Sequence, residues 1–137
     1  MLVLDEKIKS QMIQHAVSVL PYEACGLFLA KQGSNVIESF YPMRNIAESD
    51  IIYQIDPLEM MKLEDIADKD GNQIIGVMHS HTHTPAYPSP TDVKDAGNFD
   101  PLGTWHYLIV SLEDSDPSIR SFRILNGNIT EEEIQLT

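Results

Sequence analysis

Apolar residues three or four positions apart mark the predicted helices of the chain. In the segment 5–20 they are Ile8, Met12, Ala16 and Val19. This spacing indicates a helix with one buried face, which Asp5 caps and Pro21 follows. Pro57 begins a second predicted helix, whose apolar side is formed by Leu58, Met61, Ile66 and Ala67. A third, short helix is predicted from Ser89 to about Ala96.

Short apolar or alternating runs between turn residues predict the strands. They cover residues 27–30, 36–41, 51–56, 73–79, 105–112, 119–125 and 128–136. The run 73–79 is largely apolar and is flanked by turn signals, so we expect it to be a central strand covered on both faces. Asn126-Gly127 is a typical hairpin turn between the last two strands.

The mixed order of these elements predicts the fold class. An α-β-β-β-α-β-α-β-β-β order favours an α+β fold with α/β-like layers, in which a mixed sheet is flanked by helices. The chain has 137 residues, of which 42% are hydrophobic, enough for one core without disulfides. We therefore predict that residues 1–137 form a single domain.

Charge and cysteine content limit the classes of partner and the cellular location that the sequence allows. The 21 acidic and 9 basic residues give a formal net charge of −12, which argues against a nucleic-acid partner. No apolar run reaches the roughly 18 residues of a membrane span. Residues 1–9 do not have the pattern of a secretory signal, and the single Cys25 cannot form an internal disulfide. We predict a cytoplasmic protein without membrane partners, whose oligomeric state stays open.

The candidate chemistry lies between residues 79 and 92. His79 and His81 are two positions apart at the end of a predicted strand, so both side chains point to the same face. Two such imidazoles, with Asp92 brought back by the intervening loop, match the three protein ligands of a catalytic zinc site that also holds a water. His83 continues the alternation, and we interpret it as a loop histidine near the site.

Each of these residues also has a purely structural explanation. A His-x-His pair at a strand end is common enough to arise by chance. Ser89, Pro90 and Asp92 fit the N-cap, first position and capping box of a helix. The two interpretations of Asp92 are compatible, because a well-fixed first turn also holds a ligand rigidly.

The complete pattern resembles the JAMM motif of MPN-domain zinc metallopeptidases. His79-Ser80-His81, seven further residues, Ser89, two further residues and Asp92 reproduce its spacing, and Glu23 resembles its upstream acidic residue. Asn45 and Asp56-Pro57 also resemble recurrent features of that fold. The resemblance covers Asp5 to about Leu125 and implies the MPN/JAMM (cytidine-deaminase-like) fold.

The resemblance also implies an activity and residue roles. Members of this family cut amide or isopeptide bonds next to the C-terminal tail of ubiquitin-like proteins. His79, His81 and Asp92 would hold one Zn²⁺ with a bound water, Glu23 would be the general base and then the proton donor, and Ser89 would stabilise the oxyanion. The substrate tail would lie near the polar stretch Asn45 to Ile51 and the loop after His81.

Two departures narrow the expected substrate. The chain has no long insertion of the kind that eukaryotic deubiquitinases use to grip a ubiquitin chain. The order Glu23-Ala24-Cys25-Gly26 resembles bacterial stand-alone members that act on sulfur-carrier proteins with Gly-Gly tails. We therefore predict a zinc-dependent hydrolase that cleaves a peptide or isopeptide bond after such a tail. Cys25 is interpreted as a small buried residue, with a regulatory thiol that reaches the zinc as the alternative.

Two other functions stay open at this point. A non-catalytic MPN-type interaction module is one alternative, although such relatives have lost metal ligands and this chain has lost none. A zinc peptidase on a small-molecule amide is the other, because the motif defines the chemistry and not the substrate.

Overall fold

The computed structural model describes residues 1–137, which form three helices and eight strands. The helices are α1 (Glu6–Ser18), α2 (Pro57–Lys69) and α3 (Pro90–Phe99). The strands are β1 (Leu2–Leu4), β2 (Cys25–Lys31), β3 (Ser39–Met43), β4 (Asn72–His81), β5 (His106–Ser111), β6 (Ser118–Leu125), β7 (Asn128–Glu132) and β8 (Ile134–Leu136). None of the helices combines the length and apolar character that crossing a membrane requires.

Six of the strands form one mixed sheet in the order β3-β2-β4-β5-β6-β7. The central pair β4 and β5 is parallel, and its neighbours are antiparallel. β1 and β8 form a separate parallel pair, which joins the two ends of the described chain. The predicted class, a mixed sheet flanked by helices, is confirmed.

The two faces of the sheet carry separate hydrophobic cores. Met78 of β4 packs in the core that includes Met12 of α1. Its neighbour Val77 packs in the core that includes Leu63 of α2 and Ala96 of α3. Since successive side chains of a strand point to opposite faces, His79 and His81 share the face of Val77 and of α3. The strand period thus directs both histidines towards the helix that carries Asp92.

Caps and turns end the elements where the sequence predicts. Asp5 accepts hydrogen bonds from the first-turn amides of α1, and Asp56 accepts one from the amide of Leu58 at the start of α2. Asn126 and Gly127 have φ values of 52° and 78°, the left-handed conformation that a tight hairpin turn requires. The predicted hairpin between β6 and β7 is confirmed.

The prediction of a strand at residues 51–56 is wrong. This segment is a loop that folds back on Asn45, because the amide of Gln54 donates to Asn45 Oδ1 and the carbonyl of Ile52 accepts from Asn45 Nδ2. The backbone groups that would form a ladder are therefore bonded to a side chain. Ile51 and Ile52 are exposed, so the apolar residues of this segment do not form the buried face of a strand.

Other differences concern short strands and boundaries. The sequence does not predict β1, which has only three residues and pairs with β8 at the far end of the chain. The predicted strand 36–41 lies at Ser39–Met43, and the predicted strand 128–136 is divided into β7 and β8. The central strand extends through His81, so both histidines lie within it.

Candidate metal centre

Three side chains converge at the carboxyl end of β4. His79 Nε2 lies 3.2 Å from His81 Nε2 and 3.2 Å from Asp92 Oδ2, and His81 Nε2 lies 3.1 Å from the same carboxylate oxygen. All three residues are buried. The structure therefore brings together the three residues for which the sequence predicts a metal site.

The geometry of these three atoms fits a small metal ion. A tetrahedral ion with nitrogen and oxygen ligands at about 2.0–2.1 Å separates its ligand atoms by roughly 3.3–3.4 Å. The observed triangle has edges of 3.1–3.2 Å and is close to that size. Its three atoms need no large movement to share one ion.

The protonation of His81 supports the same conclusion. Its Nδ1 lies 2.8 Å from the carbonyl oxygen of Pro85, which can only accept, so Nδ1 carries the proton. Neutral His81 then directs the lone pair of Nε2 at the carboxylate of Asp92. Burial opposes a second proton, but the hydrogen bonds to Asp92 and Pro85 outweigh it and raise the pKa of His81. A metal ion would take the place of that second proton between the Nε2 lone pair of His81 and the carboxylate of Asp92.

Asp92 combines the cap of α3 with the candidate ligand position. Its Oδ2 accepts from the amide of Ser89 at 2.9 Å, while Ser89 Oγ accepts from the amide of Asp92 at 3.1 Å. This reciprocal pair is the capping box that the sequence predicts. Although burial opposes ionisation, the neighbouring His79 ring and the hydrogen bonds to His79, His81 and the Ser89 amide hold the pKa of Asp92 well below its usual range. The carboxylate is thus ionised and fixed in orientation.

Glu23 lies beside this cluster, immediately before β2. Its side chain is 3% exposed, and Oε1 is buried without a hydrogen-bond partner in the protein. Burial, reinforced by the charge of Asp92, raises the pKa of Glu23 to about 8. The next residue, Ala24, bonds to Ser80 on both sides: Ser80 N donates to Ala24 O at 3.0 Å, and Ala24 N donates to Ser80 Oγ at 2.8 Å. Glu23 is therefore fixed beside the residue that separates the two histidines.

Sequence comparison agrees with this arrangement. The family model for prokaryotic homologs of the JAB domain matches residues 5–125. The chain belongs to this family. The resemblance to the JAMM and MPN-domain peptidases in the sequence analysis is thereby confirmed.

Individual members of the JAB-domain family match almost the whole chain. A CysO-cysteine peptidase of Mycobacterium tuberculosis is 36% identical over 136 residues, which are 98% of this chain and 90% of that protein. The solution structure of a Desulfitobacterium hafniense protein is also 36% identical, with a TM-score of 0.89 over 100% of this chain and 93% of the other. A JAB1/MPN domain protein from Archaeoglobus fulgidus, at 17% identity, has a TM-score of 0.65 over 100% and 99% of the two chains, which shows the same fold.

A largely apolar cavity of about 510 Å³ lies beside the candidate metal centre. Its lining includes Ile52, Tyr53, Ile55, Met60, Phe99 and Trp105. The Tyr53 ring also stacks on the ring of His79, with centroids 4.6 Å apart and an angle of 23° between the planes. Tyr53 therefore connects the cavity to the candidate metal centre.

Tyr53 and the interactions of Asn45 are the parts of the site that sequence reasoning missed. Tyr53 lies in the segment predicted as a strand, where an aromatic residue is typical of a core. Asn45 resembles a recurrent feature of the fold, but its sequence context does not reveal its partners. The polar loop around it was the available signal, because a buried Asn in such a loop commonly bonds to backbone groups.

The structure places the other candidate residues outside the cluster. His83 is exposed. Cys25 is fully buried, its thiol lies 3.8 Å from the carbonyl oxygen of Met43, and burial together with the charge of Glu23 raises its pKa to about 12. Such a thiol is a poor nucleophile and a poor metal ligand.

Proposed function

We propose that this protein is a zinc-dependent peptidase. It cleaves a peptide or isopeptide bond after the C-terminal Gly-Gly tail of a small ubiquitin-like or sulfur-carrier protein, with residues 1–137 acting as one domain. The observation that carries the proposal is the buried Glu23 carboxyl, which has an unpartnered oxygen beside the cluster of His79, His81 and Asp92. The similarity to a CysO-cysteine peptidase over nearly the full length supports this class of substrate.

In this proposal His79, His81 and Asp92 hold the zinc ion. Two imidazole nitrogens and one carboxylate oxygen are a typical ligand set for catalytic zinc, which leaves one position open. When bound, the ion supplies Lewis acidity that polarises the substrate carbonyl and makes water acidic enough to react at neutral pH. The carbonyl of Pro85 fixes the His81 ring so that Nε2 faces the ion.

Glu23 moves the protons in this proposal. Its carboxylate takes a proton from the attacking water and then delivers it to the leaving amine, so the base of one step is the acid of the next. Burial brings the pKa of Glu23 in the metal-free protein up towards neutral pH, and a nearby cation would favour the carboxylate form that accepts the first proton. A buried carboxyl without a fixed partner has a free oxygen for that water.

Ser89 provides the hydrogen bond to the developing oxyanion. Its oxygen accepts from the amide of Asp92, which leaves the hydroxyl proton free to be donated. The capping geometry fixes this oxygen at the start of α3, beside the ligand Asp92. A donor of this kind contributes about 3 kcal/mol to transition-state stabilisation in other hydrolases.

We expect Ser89→Ala to lower kcat by about 100-fold, as the loss of other oxyanion donors does. It also removes a helix cap, which costs about 1 kcal/mol of unfolding free energy. Asp5→Ala is the matched control, because it removes the cap of α1 and leaves the site intact. Denaturant titration and steady-state kinetics measure both effects. Equal activity of the two variants would exclude Ser89 from catalysis.

The substrate preference tests the proposed function. The enzyme is offered a Gly-Gly-tailed carrier that ends in an added cysteine, the same carrier joined to a lysine side chain, and a free Gly-Gly-Cys tripeptide. We expect cleavage of at least one carrier substrate and little of the tripeptide. Equal cleavage of the tripeptide would indicate a peptidase for small amides. Stoichiometric zinc without any cleavage would favour an interaction module.

A further inference from the structure

Glu23 has a role in the proposed mechanism but lies outside every helix and strand of the fold. A general base must be held within hydrogen-bond reach of its proton, so some other part of the chain has to fix its position. Both backbone polar groups of Glu23 are bonded to one loop. Its amide donates to Ser49 O at 2.8 Å, and its carbonyl accepts from Asn45 Nδ2 at 3.0 Å.

That loop comprises residues 45–54 and is called the Asn45 loop below. The side chain of its first residue, Asn45, makes most of its side-chain hydrogen bonds. The residue is 9% exposed. Besides its bond to Glu23, Nδ2 donates to Ile52 O at 2.9 Å. Oδ1 accepts from the amides of Ala47 and Gln54, each at 3.0 Å. A single buried amide thus joins the loop ends to the segment that carries the base.

The Asn45 loop also contacts the metal side of the site. Tyr53 stacks on His79, and the carbonyl of Asp50 accepts from the hydroxyl of Thr82 at 3.2 Å. Thr82 directly follows His81. The loop therefore contacts the base segment, one candidate ligand and the residue after the other. Together with the Ala24–Ser80 hydrogen bonds, it holds the base segment against the candidate ligands.

We propose that Asn45 is a positioning residue for Glu23, acting through the hydrogen bond from its side-chain amide to the Glu23 carbonyl. This inference rests on the proposed role of Glu23 as general base. Misplacement of a reacting group by about 1 Å costs on the order of 100-fold in rate. Asn45→Ala should therefore lower kcat by about 100-fold while KM and the zinc affinity change little.

The alternative is that Asn45 only maintains the loop. The loop has backbone bonds of its own, since Ile46 N donates to Gln54 O at 2.9 Å and Glu48 N donates to Asn45 O at 3.1 Å. Asn45→Asp keeps the Oδ1 acceptor for Ala47 and Gln54 and removes only the Nδ2 donations, to the carbonyls of Glu23 and Ile52. If the donor matters, Asn45→Asp loses activity as Asn45→Ala does. Full activity of Asn45→Asp would overturn the proposal.

A double-mutant cycle with Glu23→Gln measures whether Asn45 acts through the base. Single-turnover cleavage of the carrier substrate is followed with excess zinc-loaded enzyme. We expect Asn45→Ala to cost about 100-fold in the wild-type background, and less than about threefold in Glu23→Gln, because coupled residues are not additive. Equal losses in both backgrounds would overturn the proposal. If Asn45→Ala does not fold, Asn45→Asp is used in the same cycle.

A measurement without turnover completes the test. Amide hydrogen exchange should show loss of protection at Glu23 in Asn45→Ala while the amides of β4 and β5 stay protected. Unchanged protection at Glu23 would overturn the proposal. Ile124→Val in the core of β6 is the control for general destabilisation, and it should keep full activity. An inactive wild-type protein would refute the proposed function instead, and the exchange data would still decide whether Asn45 holds the Glu23 backbone.

Discussion

His81→Ala is expected to lose both its bound zinc and its turnover. The substitution leaves two of the three protein ligands, and it removes the imidazole whose orientation the Pro85 carbonyl fixes at 2.8 Å. Loss of only an outer hydrogen-bond partner of a ligand costs about 10–100-fold in metal affinity, so loss of the ligand should cost more. Elemental analysis after dialysis against a weak chelator measures the zinc content, and cleavage of the carrier substrate measures turnover.

His83→Ala is the matched control for this prediction. It is the same substitution two positions later, at an exposed residue outside the cluster. We expect it to keep one zinc per chain and normal activity. One zinc per chain in His81→Ala would contradict the ligand assignment, whatever its activity.

The same comparison has a readout in stability. A ligand present at about 1,000 times its Kd stabilises the folded state by about 4 kcal/mol. Zinc should therefore raise the midpoint of thermal unfolding of the wild-type protein and of His83→Ala, and a chelator should reverse the rise. His81→Ala should unfold at the same temperature with and without zinc. This result would link the metal to the folded site independently of any substrate.

Local rules explain why the sequence predicts the metal centre. The period of two along β4 places His79 and His81 on one face, and the capping box at Ser89 fixes Asp92 in the first turn of α3. Neither rule depends on distant contacts. Only the approach of α3 to the end of β4 is a tertiary event, and the apolar side of α3 at Ala96 accounts for it by packing in the same core as Val77.

The Asn45 loop shows where local rules fail. Residues 51–55 have the composition of a strand, but hydrogen bonds from the buried Asn45 side chain to Ile52 and Gln54 hold them in a loop. The hydrogen bond from Asn45 to the Glu23 carbonyl spans 22 positions of the chain and has no sequence signature. β1 escapes prediction for a related reason, because a three-residue strand is determined by its partner β8 and not by its own pattern.

The apolar cavity is beyond sequence reasoning for a different reason. Tyr53, Phe99 and Trp105 have the composition of a core, and nothing in the sequence tells a filled core from an open one. The difference lies between α2 and α3, where Met60 of α2 and Phe99 of α3 line an open space. In the proposed function this space is available to apolar side chains of the carrier tail.

Glu23→Gln is expected to keep zinc and lose nearly all turnover. Glutamine has the size of glutamate but does not accept a proton at neutral pH, so the variant cannot act as base or deliver a proton to the amine. General acid–base catalysis contributes about 100- to 10,000-fold, and we expect a loss in that range in kcat with little change in KM. Steady-state kinetics on the carrier substrate and elemental analysis of zinc measure the two quantities.

The stability of this variant separates a catalytic from a structural role. Burial raises the pKa of Glu23 to about 8, which means that the folded metal-free protein disfavours its charged form. Removing that charge should therefore leave the free energy of unfolding of the metal-free protein unchanged or raise it. Lost activity combined with equal or greater stability is the expected result for a residue selected for chemistry.

Asp50→Asn is the control variant. It removes an exposed carboxylate whose charge also acts on Glu23, and it should keep most of the activity. If Glu23→Gln were as active as the wild type, the base would have to be another group, and the unpartnered oxygen of Glu23 would have no role in the reaction.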